Sequence, residues 1–339
     1  AGRGGGAAAM TAVLWVAGVA LKSLILVLLI LGGFAYLLLF ERKILGYFQF
    51  RIGPNRVGPW GLLQPVADGV KALFKEDLVP READRAVYLA APVISLFMAL
   101  AAYSVIPVGP PIRVGSYTIP LSIADPGAGV LVVLVFTSLA VYGVALGGWA
   151  SQSKYALLGG LRSSAQLISY EIAMAMNILA VLVMAGSVRL ADIVEAQRPL
   201  PYAVVQPLGF VLYLICAAAE SARAPFDLPE AETELVAGYH TEYSGLRMAM
   251  FFMSEYIHLI TQASLITLFY LGGWLGPGFL PPVAWFVLKV AAVLFFFIWV
   301  RATLPRLRYD QLMALGWKVL LPLGVANLMA YAVWAALAG

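Results

Sequence analysis

The stretch that decides the fold runs over residues 217–243 and reads A-A-A-E-S-A-R-A-P-F-D-L-P-E-A-E-T-E-L-V-A-G-Y-H-T-E-Y. Seven carboxylates gather here between two strongly apolar segments, the last of them just downstream: Glu220, Asp227, Glu230, Glu232, Glu234, Glu242 and Glu255. Pro225 and Pro229 prevent one continuous helix across the stretch. We therefore expect a membrane helix to end near Arg223 and a new helix to begin near Glu230.

A helix that restarts at Glu230 places this residue and Glu234 on one face, four positions apart. Like charges at that spacing repel, so each carboxylate favours the neutral form of the other and the pair can exchange a proton. The alternative is an acidic surface loop whose glutamates favour a helix N-terminus. The strongly apolar flanks favour a functional cluster over that alternative.

The composition requires an integral membrane protein. Hydrophobic residues make up 62% of the 339 residues, charged residues only 12%, and the mean hydropathy is +0.89, which excludes a soluble domain. No run alternates as a membrane β-strand does, so the spans are helices and the fold class is all-α. Eight apolar runs are long enough to span about 30 Å of hydrocarbon: roughly 10–40, 86–107, 128–150, 163–187, 204–222, 246–272, 283–304 and 317–337.

Lysine and arginine predict the orientation. Sixteen of them lie in the connections on the side of the acidic stretch and four on the opposite side, which places the acidic loop in the cytoplasm, or in a mitochondrial matrix. An even number of spans then places both termini on the other side. The net charge of +4 reflects this bias and indicates no nucleic-acid partner.

The single cysteine limits the redox chemistry of the chain. Cys216 lies alone inside an apolar run, so it has no partner for a disulfide, a cysteine-based metal site or an iron–sulfur cluster. We therefore expect no flavin, iron–sulfur cluster or metal on this chain, and a redox centre would belong to another subunit.

The connections divide one polytopic domain over 1–339. Residues 1–9 are glycine- and alanine-rich and are expected to be flexible, and residues 222–245 form the acidic loop. The connection 41–85 carries a basic cluster, a Gly/Pro/Asn-rich turn and an amphipathic helix expected to lie at the membrane interface. The apolar positions of that helix recur near helical spacing: Leu62, Val66, Val70, Leu73 and Phe74.

Glu171, Glu255 and Lys289 are charged residues inside predicted spans. Glu171 and Glu255 are expected to be functional, because an unpaired charge in the membrane costs at least about 2–3 kcal/mol. A pair between Glu171 and Arg162, or a local hydrogen bond between Glu255 and His258, would be a structural alternative. Lys289 could be a structural counter-ion or part of a proton relay.

A stand-alone ion transporter is a further alternative from another class. Such a protein would need its own binding site and paired broken helices in two halves of the chain. The chain has no obvious internal repeat, and Pro225 and Pro229 have no counterpart near the second span. The sequence therefore argues against that alternative.

Three stretches together resemble one family. They are E-R-K-I-L-G-Y-F-Q-F-R-I-G-P-N-R-V-G-P-W-G-L-L-Q-P-V-A-D-G-V-K from Glu41, G-W-A-S-Q-S-K-Y-A-L-L-G-G-L-R-S-S-A-Q-L-I-S-Y-E from Gly148, and E-S-A-R-A-P-F-D-L-P-E-A-E-T-E-L-V-A-G-Y from Glu220. The chain resembles the H subunit of proton-pumping NADH:quinone oxidoreductase, respiratory complex I, the counterpart of mitochondrial NADH dehydrogenase subunit 1. The likeness covers nearly the whole chain.

The resemblance implies two groups of site residues. The quinone-chamber wall of the family matches Arg42, Arg51, Gly53, Pro54, Asn55, Phe226 and Asp227. The carboxylates that couple that chamber to the membrane interior match Asp68, Glu171, Glu220, Glu230, Glu232, Glu234 and Glu255. Where some relatives carry Glu, this chain has Ser138, so a relay site at that position is in doubt.

The resemblance also implies a role and partners. The chain would be the membrane subunit beneath the peripheral arm, in a bacterial cytoplasmic membrane, with quinone as substrate. Its partners would be the quinone-module subunits of that arm, the small and antiporter-like membrane subunits, and lipid. A homologous subunit of membrane-bound hydrogenase or formate hydrogenlyase is the nearest alternative, and the intact turn and acidic loop favour the quinone enzyme.

Overall fold

The computed structural model describes residues 3–114, 117–228 and 236–338, and this part of the chain is mostly helical. The helices are α1 Arg3–Phe48, α2 Gln64–Phe74, α3 Arg85–Tyr103, α4 Gly129–Ala150, α5 Lys154–Ala185, α6 Leu190–Ala196, α7 Tyr202–Val205, α8 Pro207–Glu220, α9 Gly245–Tyr270, α10 Pro282–Thr303, α11 Tyr309–Leu315 and α12 Leu321–Ala338. A π-helical turn, Gly316–Leu320, joins α11 to α12. Short 3-10 turns lie at Pro59–Gly61 and Gly238–His240.

Two short strands add to the predicted all-α fold. β1 Ile112–Val114 pairs antiparallel with β2 Tyr117–Ile119 in the connection between α3 and α4. The sequence of that connection is rich in proline and glycine, which favour turns over helix. The hairpin therefore does not change the helical class of the protein.

Six helical segments of the described chain are long and apolar enough to cross a membrane: Val16–Phe48, Arg85–Tyr103, Gly129–Ala150, Lys154–Ala185, Pro282–Thr303 and Tyr309–Leu337. The other two predicted spans are also helical, but they are not among these six. α8 has only 14 residues. The helix α9 is long enough, and its sequence is less apolar because it packs inside the bundle.

The burial of α9 explains its composition. It packs against α1, α2, α3, α8 and α10, and every residue from Thr261 to Tyr270 is buried. Polar side chains there face other helices: the Ser254 hydroxyl lies 2.7 Å from that of Ser95 on α3. A helix enclosed by other helices does not need an apolar surface. Its mean hydropathy can therefore be low even if it crosses the membrane.

The helix α1 is longer than a membrane is thick. Its 46 residues rise about 69 Å at ~1.5 Å per residue, against about 30 Å of hydrocarbon. It begins at Arg3 and so includes most of the segment 1–9 that the sequence predicts to be flexible. The end of α1 that leads into the first connection is packed in the bundle, where Leu37 and Leu39 are buried.

A second, smaller core holds the end of the acidic loop against α3. The rings of Tyr88 and Tyr243 stack with centroids 4.1 Å apart and planes 3° apart. The Tyr88 hydroxyl donates to Glu242 O at 2.8 Å, and the Tyr243 hydroxyl donates to Tyr88 O at 3.1 Å. Burial raises the pKa of Tyr243, so its hydroxyl stays protonated and keeps this bond. The chain entering α9 is thereby fixed in place.

Candidate functional site

The first connection folds back onto the end of α1. A Cβ atom on Gly53 would lie 3.0 Å from the Cα of Lys43, so the glycine allows the turn to pack closely on the helix. Arg42 Nη1 forms an ion pair with Asp68 Oδ2 at 2.8 Å, and Gln64 Nε2 donates to Asp68 Oδ1 at 3.0 Å. These bonds tie α2 to the end of α1.

An apolar cavity of about 450 Å³ lies between α1, α2 and α9. Its walls are mainly aliphatic and aromatic, with Phe34, Leu73 and Phe252 among them, and Arg42, Asp68 and Tyr256 add polar groups. A volume of a few hundred cubic ångströms with apolar walls and a few polar groups is typical of ligand sites. The arrangement suits an amphiphilic molecule with a hydrophobic body and a polar head.

The apolar side of α2 is solvent-exposed within this chain. Val66, Val70, Leu73 and Phe74 are 60%, 49%, 65% and 86% exposed. The predicted amphipathic helix is therefore present, and most of its apolar face is exposed although Leu73 also lines the cavity. Such a face is typical of a helix at a lipid surface or against a partner.

Of the residues that the resemblance assigns to the quinone chamber, only Arg42 lines this cavity. Arg51 is exposed and donates from Nε to Gln49 Oε1 at 2.7 Å. Gly53, Pro54 and Asn55 form the turn beside α1, Phe226 is buried with its ring 5.9 Å from that of Tyr170, and Asp227 is partly buried. The sequence-predicted set therefore divides into a cavity wall, a turn and a buried loop.

A buried ion network separates the apolar cavity from the interior of the bundle. Arg223 Nε lies 2.8 Å from Glu255 Oε1, and Arg223 Nη1 lies 3.5 Å from Glu41 Oε1. The Arg223 guanidinium also lies 4.1 Å from the ring centroid of Tyr256, a cation–π distance. Arg301 forms a second ion pair with Glu41. Two cations thus neutralise two carboxylates at the meeting point of α1, α8, α9 and α10.

A second, smaller cavity has Glu255 in its wall; it is called the polar cavity for its titratable side chains, although much of its wall is apolar. It measures about 60 Å³ and is lined by the polar side chains of Ser95, Thr137, Ser163, Glu220, Tyr239, Ser254, Glu255 and His258, among others. At ~10–15 Å³ per water, it has room for about four waters. Glu220 Oε2 and His258 Nε2 are buried with no hydrogen-bond partner among the described residues. Titratable groups and space for water are the parts that proton exchange needs.

Glu171 on α5 is paired with Ser138 on α4. The Ser138 hydroxyl lies against Glu171 Oε1 and also donates to Leu134 O at 2.8 Å. The Ser138 hydroxyl therefore connects the Glu171 carboxyl on α5 to α4. Glu171 also lies near enough to Glu220 to interact electrostatically. The α5 helix begins at Lys154, so Glu171 is deeper in it than the predicted span implies.

The structure brings only part of the predicted relay together. Glu220 and Glu255 line one cavity, Glu171 lies near Glu220, and Asp68 lies at the apolar cavity. The three glutamates of the restarted segment lie outside the described residues: Glu230, Glu232 and Glu234. The predicted pair Glu230 and Glu234 stays a prediction.

Gln166 is a residue of the site that no sequence motif predicts. Gln166 is fully buried on α5 and donates from Nε2 to Ala219 O at 2.7 Å and to Phe226 O at 2.8 Å. These bonds hold both ends of the segment that carries Glu220 and Arg223. A glutamine in an apolar run could have drawn attention, but its partners lie more than 50 positions away.

Lys289 acts as a cap in this structure. Its ammonium group donates to the carbonyl oxygens of Leu271, Gly273 and Leu275 at 2.7, 3.0 and 2.6 Å. These carbonyls follow the end of α9, where helix dipoles favour a cation. Of the two roles left open by the sequence, the geometry favours the structural one.

The fold and site define a helical membrane protein in which the apolar cavity and the polar cavity both adjoin a buried ion network. Among the described residues, no cluster of His, Cys, Asp and Glu is arranged to hold a metal. A family model described as NADH dehydrogenase matches residues 21–332.

Curated relatives cover most of the chain. The NADH-quinone oxidoreductase H subunit of Syntrophotalea carbinolica is 57% identical over 300 residues, which is 88% of this chain and 91% of that protein. An NADH-quinone oxidoreductase H subunit of Geobacter metallireducens, the copy numbered 1, is 56% identical over 87% of this chain and 89% of its own length. The copy numbered 1 of Symbiobacterium thermophilum is 51% identical over 93% and 96%. The chain therefore belongs to the NADH dehydrogenase family.

Proposed function

We propose that this chain is the membrane subunit of a proton-translocating NADH:quinone oxidoreductase that forms much of the quinone chamber and begins the carboxylate relay. One observation carries the proposal: Arg223 contacts Tyr256, which lines the apolar cavity, and Glu255, which lines the polar cavity. A change of charge at one cavity therefore acts on the other through a single guanidinium. The names of the relatives favour this enzyme over a component of a hydrogenase.

The chain contributes shape and electrostatics to the reaction. The apolar cavity between α1, α2 and α9 would take the hydrophobic quinone from lipid, and the pair of Arg42 and Asp68 would face its polar head. Electrons would reach the quinone from the redox centres of partner subunits. The charge change on reduction would then alter the proton occupancy of Glu255 and Glu220 through Arg223, because coupled buried carboxylates respond as a set.

The proposal also covers topology and partners. Eight spans in a bacterial cytoplasmic membrane would place the acidic loop and the first connection on the cytoplasmic side. The exposed aromatic residues of that connection, Phe50 and Trp60, are 100% and 81% exposed, which suits a surface covered by the quinone-module subunits of the peripheral arm. Small and antiporter-like membrane subunits would complete the complex.

The test fills the apolar cavity and compares a matched substitution on the surface. Ala249 lines the cavity on α9, and Ala292 is exposed on α10. In assembled enzyme, Ala249→Phe should raise the KM for quinone severalfold and weaken labelling by a photoreactive quinone, while NADH oxidation by a hydrophilic acceptor is retained. Ala292→Phe should change neither. Unchanged quinone kinetics and labelling in Ala249→Phe would show that quinone does not bind in this cavity.

A further inference from the structure

Three buried polar groups converge at the end of the bundle opposite to the acidic loop. Gln206 and Tyr270 are fully buried and Asn327 is 3% exposed. A Cβ atom on Gly209 would lie 2.9 Å from Asn327 Nδ2, 3.3 Å from Gln206 Oε1 and 3.4 Å from the Tyr270 hydroxyl. Three helices, α8, α9 and α12, and the residue before α8 thus bring these polar atoms to one point.

None of the three polar atoms has a hydrogen-bond partner among the described residues. The amide orientation of Gln206 is set by its other end, because Nε2 donates to Ala180 O at 3.2 Å, so Oε1 faces Gly209. A buried polar group without a partner costs about 1–3 kcal/mol, and such groups in native proteins are commonly satisfied by ordered water. Three of them at one glycine are therefore placed to share one ligand.

The donor set selects the chemistry of that ligand. Gln206 offers an acceptor, Asn327 offers a donor, and the Tyr270 hydroxyl can do either. The Asn327 amide hydrogens would repel a cation and the Gln206 oxygen would repel an anion. Water, with two donors and two acceptors, satisfies all three atoms at once.

The same site lies at the end of a polar line that begins at Glu220. The rings of Tyr270 and Tyr213 lie 5.6 Å apart, and the Tyr213 hydroxyl donates to Gln262 Oε1 at 3.2 Å. Gln262 hydrogen-bonds to the Glu220 carboxyl, and its side-chain nitrogen is buried. From Gln206 to Glu220 the chain rises about 21 Å along α8 at ~1.5 Å per residue, so the line crosses most of a membrane.

We propose that Gln206, Tyr270 and Asn327 bind water around Gly209, and that this water belongs to a hydrated passage through which Glu220 exchanges protons with the far end of the bundle. Polar groups at such depth in a membrane protein mark ion and proton pathways. The water site rests on geometry alone, and its role in proton exchange rests on the proposed carboxylate relay.

The first test is a high-resolution cryo-EM map of the assembled enzyme. We expect ordered water density within hydrogen-bond distance of at least two of the three atoms named above. Direct bonds among the three side chains, with no water density between them, would overturn the proposal.

The second test measures protons translocated per NADH oxidised. Gly209→Ala should displace the water and lower this ratio, since the added methyl group would meet Asn327 Nδ2. Gly129→Ala is the matched control, because a Cβ atom there meets only the side chains of Val105 and Leu190, at 3.4 Å or more. Tyr270→Phe removes one partner of the water, keeps the ring and serves as the second variant if Gly209→Ala fails to assemble.

The ratio separates this proposal from the proposed function. It is taken per NADH oxidised, so a loss of quinone reduction is scored independently. A lowered ratio in Gly209→Ala or Tyr270→Phe, with Gly129→Ala like wild type, supports the passage. An unchanged ratio in an assembled variant that has lost the water overturns it, even if Glu220→Gln itself impairs pumping.

Discussion

Breaking the ion pair between Arg223 and Glu255 should uncouple the two cavities. The Arg223 and Glu255 side chains are 11% and 14% exposed, and their atoms lie 2.8 Å apart, so solvent screens the pair little. Removing one partner of a buried pair typically costs about 3–5 kcal/mol. Arg223→Gln takes the positive charge from between two carboxylates and should therefore be the more damaging change. Glu255→Gln leaves Arg223 beside Glu41 and the Tyr256 ring.

The two changes should be strongly non-additive. Contacting residues in one charge network show interaction energies of about 0.5–3 kcal/mol, and we expect about 1.4 kcal/mol, a factor of ten. The assay is kcat/KM for quinone in membranes with equal amounts of assembled enzyme, for the two single variants and the double variant. The double variant should be about tenfold more active than independent losses predict.

A control pair lies at the far end of the bundle. Arg189 and Asp125 form an ion pair with side chains 45% and 33% exposed, for which about 0–1 kcal/mol is typical. Arg189→Gln should leave quinone kinetics near wild type. Losses at Arg223 and Glu255 that simply add would refute the view that these residues form one link between the cavities.

Three further outcomes are expected. Arg51→Ala should lower quinone reductase activity with little effect on NADH oxidation by a hydrophilic acceptor, and equal loss of both would indicate an assembly defect. Gln166→Leu should raise the KM for quinone and lower proton pumping, because two carbonyls of the loop lose their donor; recovery in Gln166→Asn or Gln166→His would support positioning, and wild-type kinetics in Gln166→Leu would exclude it. Lys289→Met should reduce the thermal stability of the complex and leave the number of protons translocated per NADH unchanged. A lower number of protons per NADH would indicate that Lys289 takes part in proton transfer.

The membrane architecture was predictable because it depends on local composition. Runs of apolar residues set the spans, and the cost of burying charge is enough to identify Glu171 and Glu255 as unusual. The partner of Glu171 was not predictable, because Ser138 lies 33 positions away on another helix. The helix α9 is not among the six apolar spans for a related reason. Other helices surround it, so its residues need not be as apolar as those of a helix that contacts lipid.

The ion network could not be predicted from the sequence. Glu41 and Arg301 are 260 positions apart, and each lies at the end of its own apolar run, where a charge is ordinary. Only the packing of α1 against α10 and of α9 against α8 makes these charges neighbours. The residues that line the apolar cavity could not be predicted for the same reason, since its wall includes aliphatic residues of α1 and α9 that carry no motif.

The most direct measurement compares charge-removing variants of the acidic cluster in assembled enzyme. Glu220→Gln, Glu232→Gln and the double variant keep shape and most hydrogen-bonding capacity, so assembly should be normal. Quinone reductase rate and proton pumping should both fall, and the double variant should lose little more than either single variant. Glu242→Gln is the internal control and should be tolerated, because Glu242 lies beyond Gly238, beside the stacked rings of Tyr88 and Tyr243. If both cluster variants match wild type in both assays, the acidic loop is a solvated surface and the carboxylate relay does not exist.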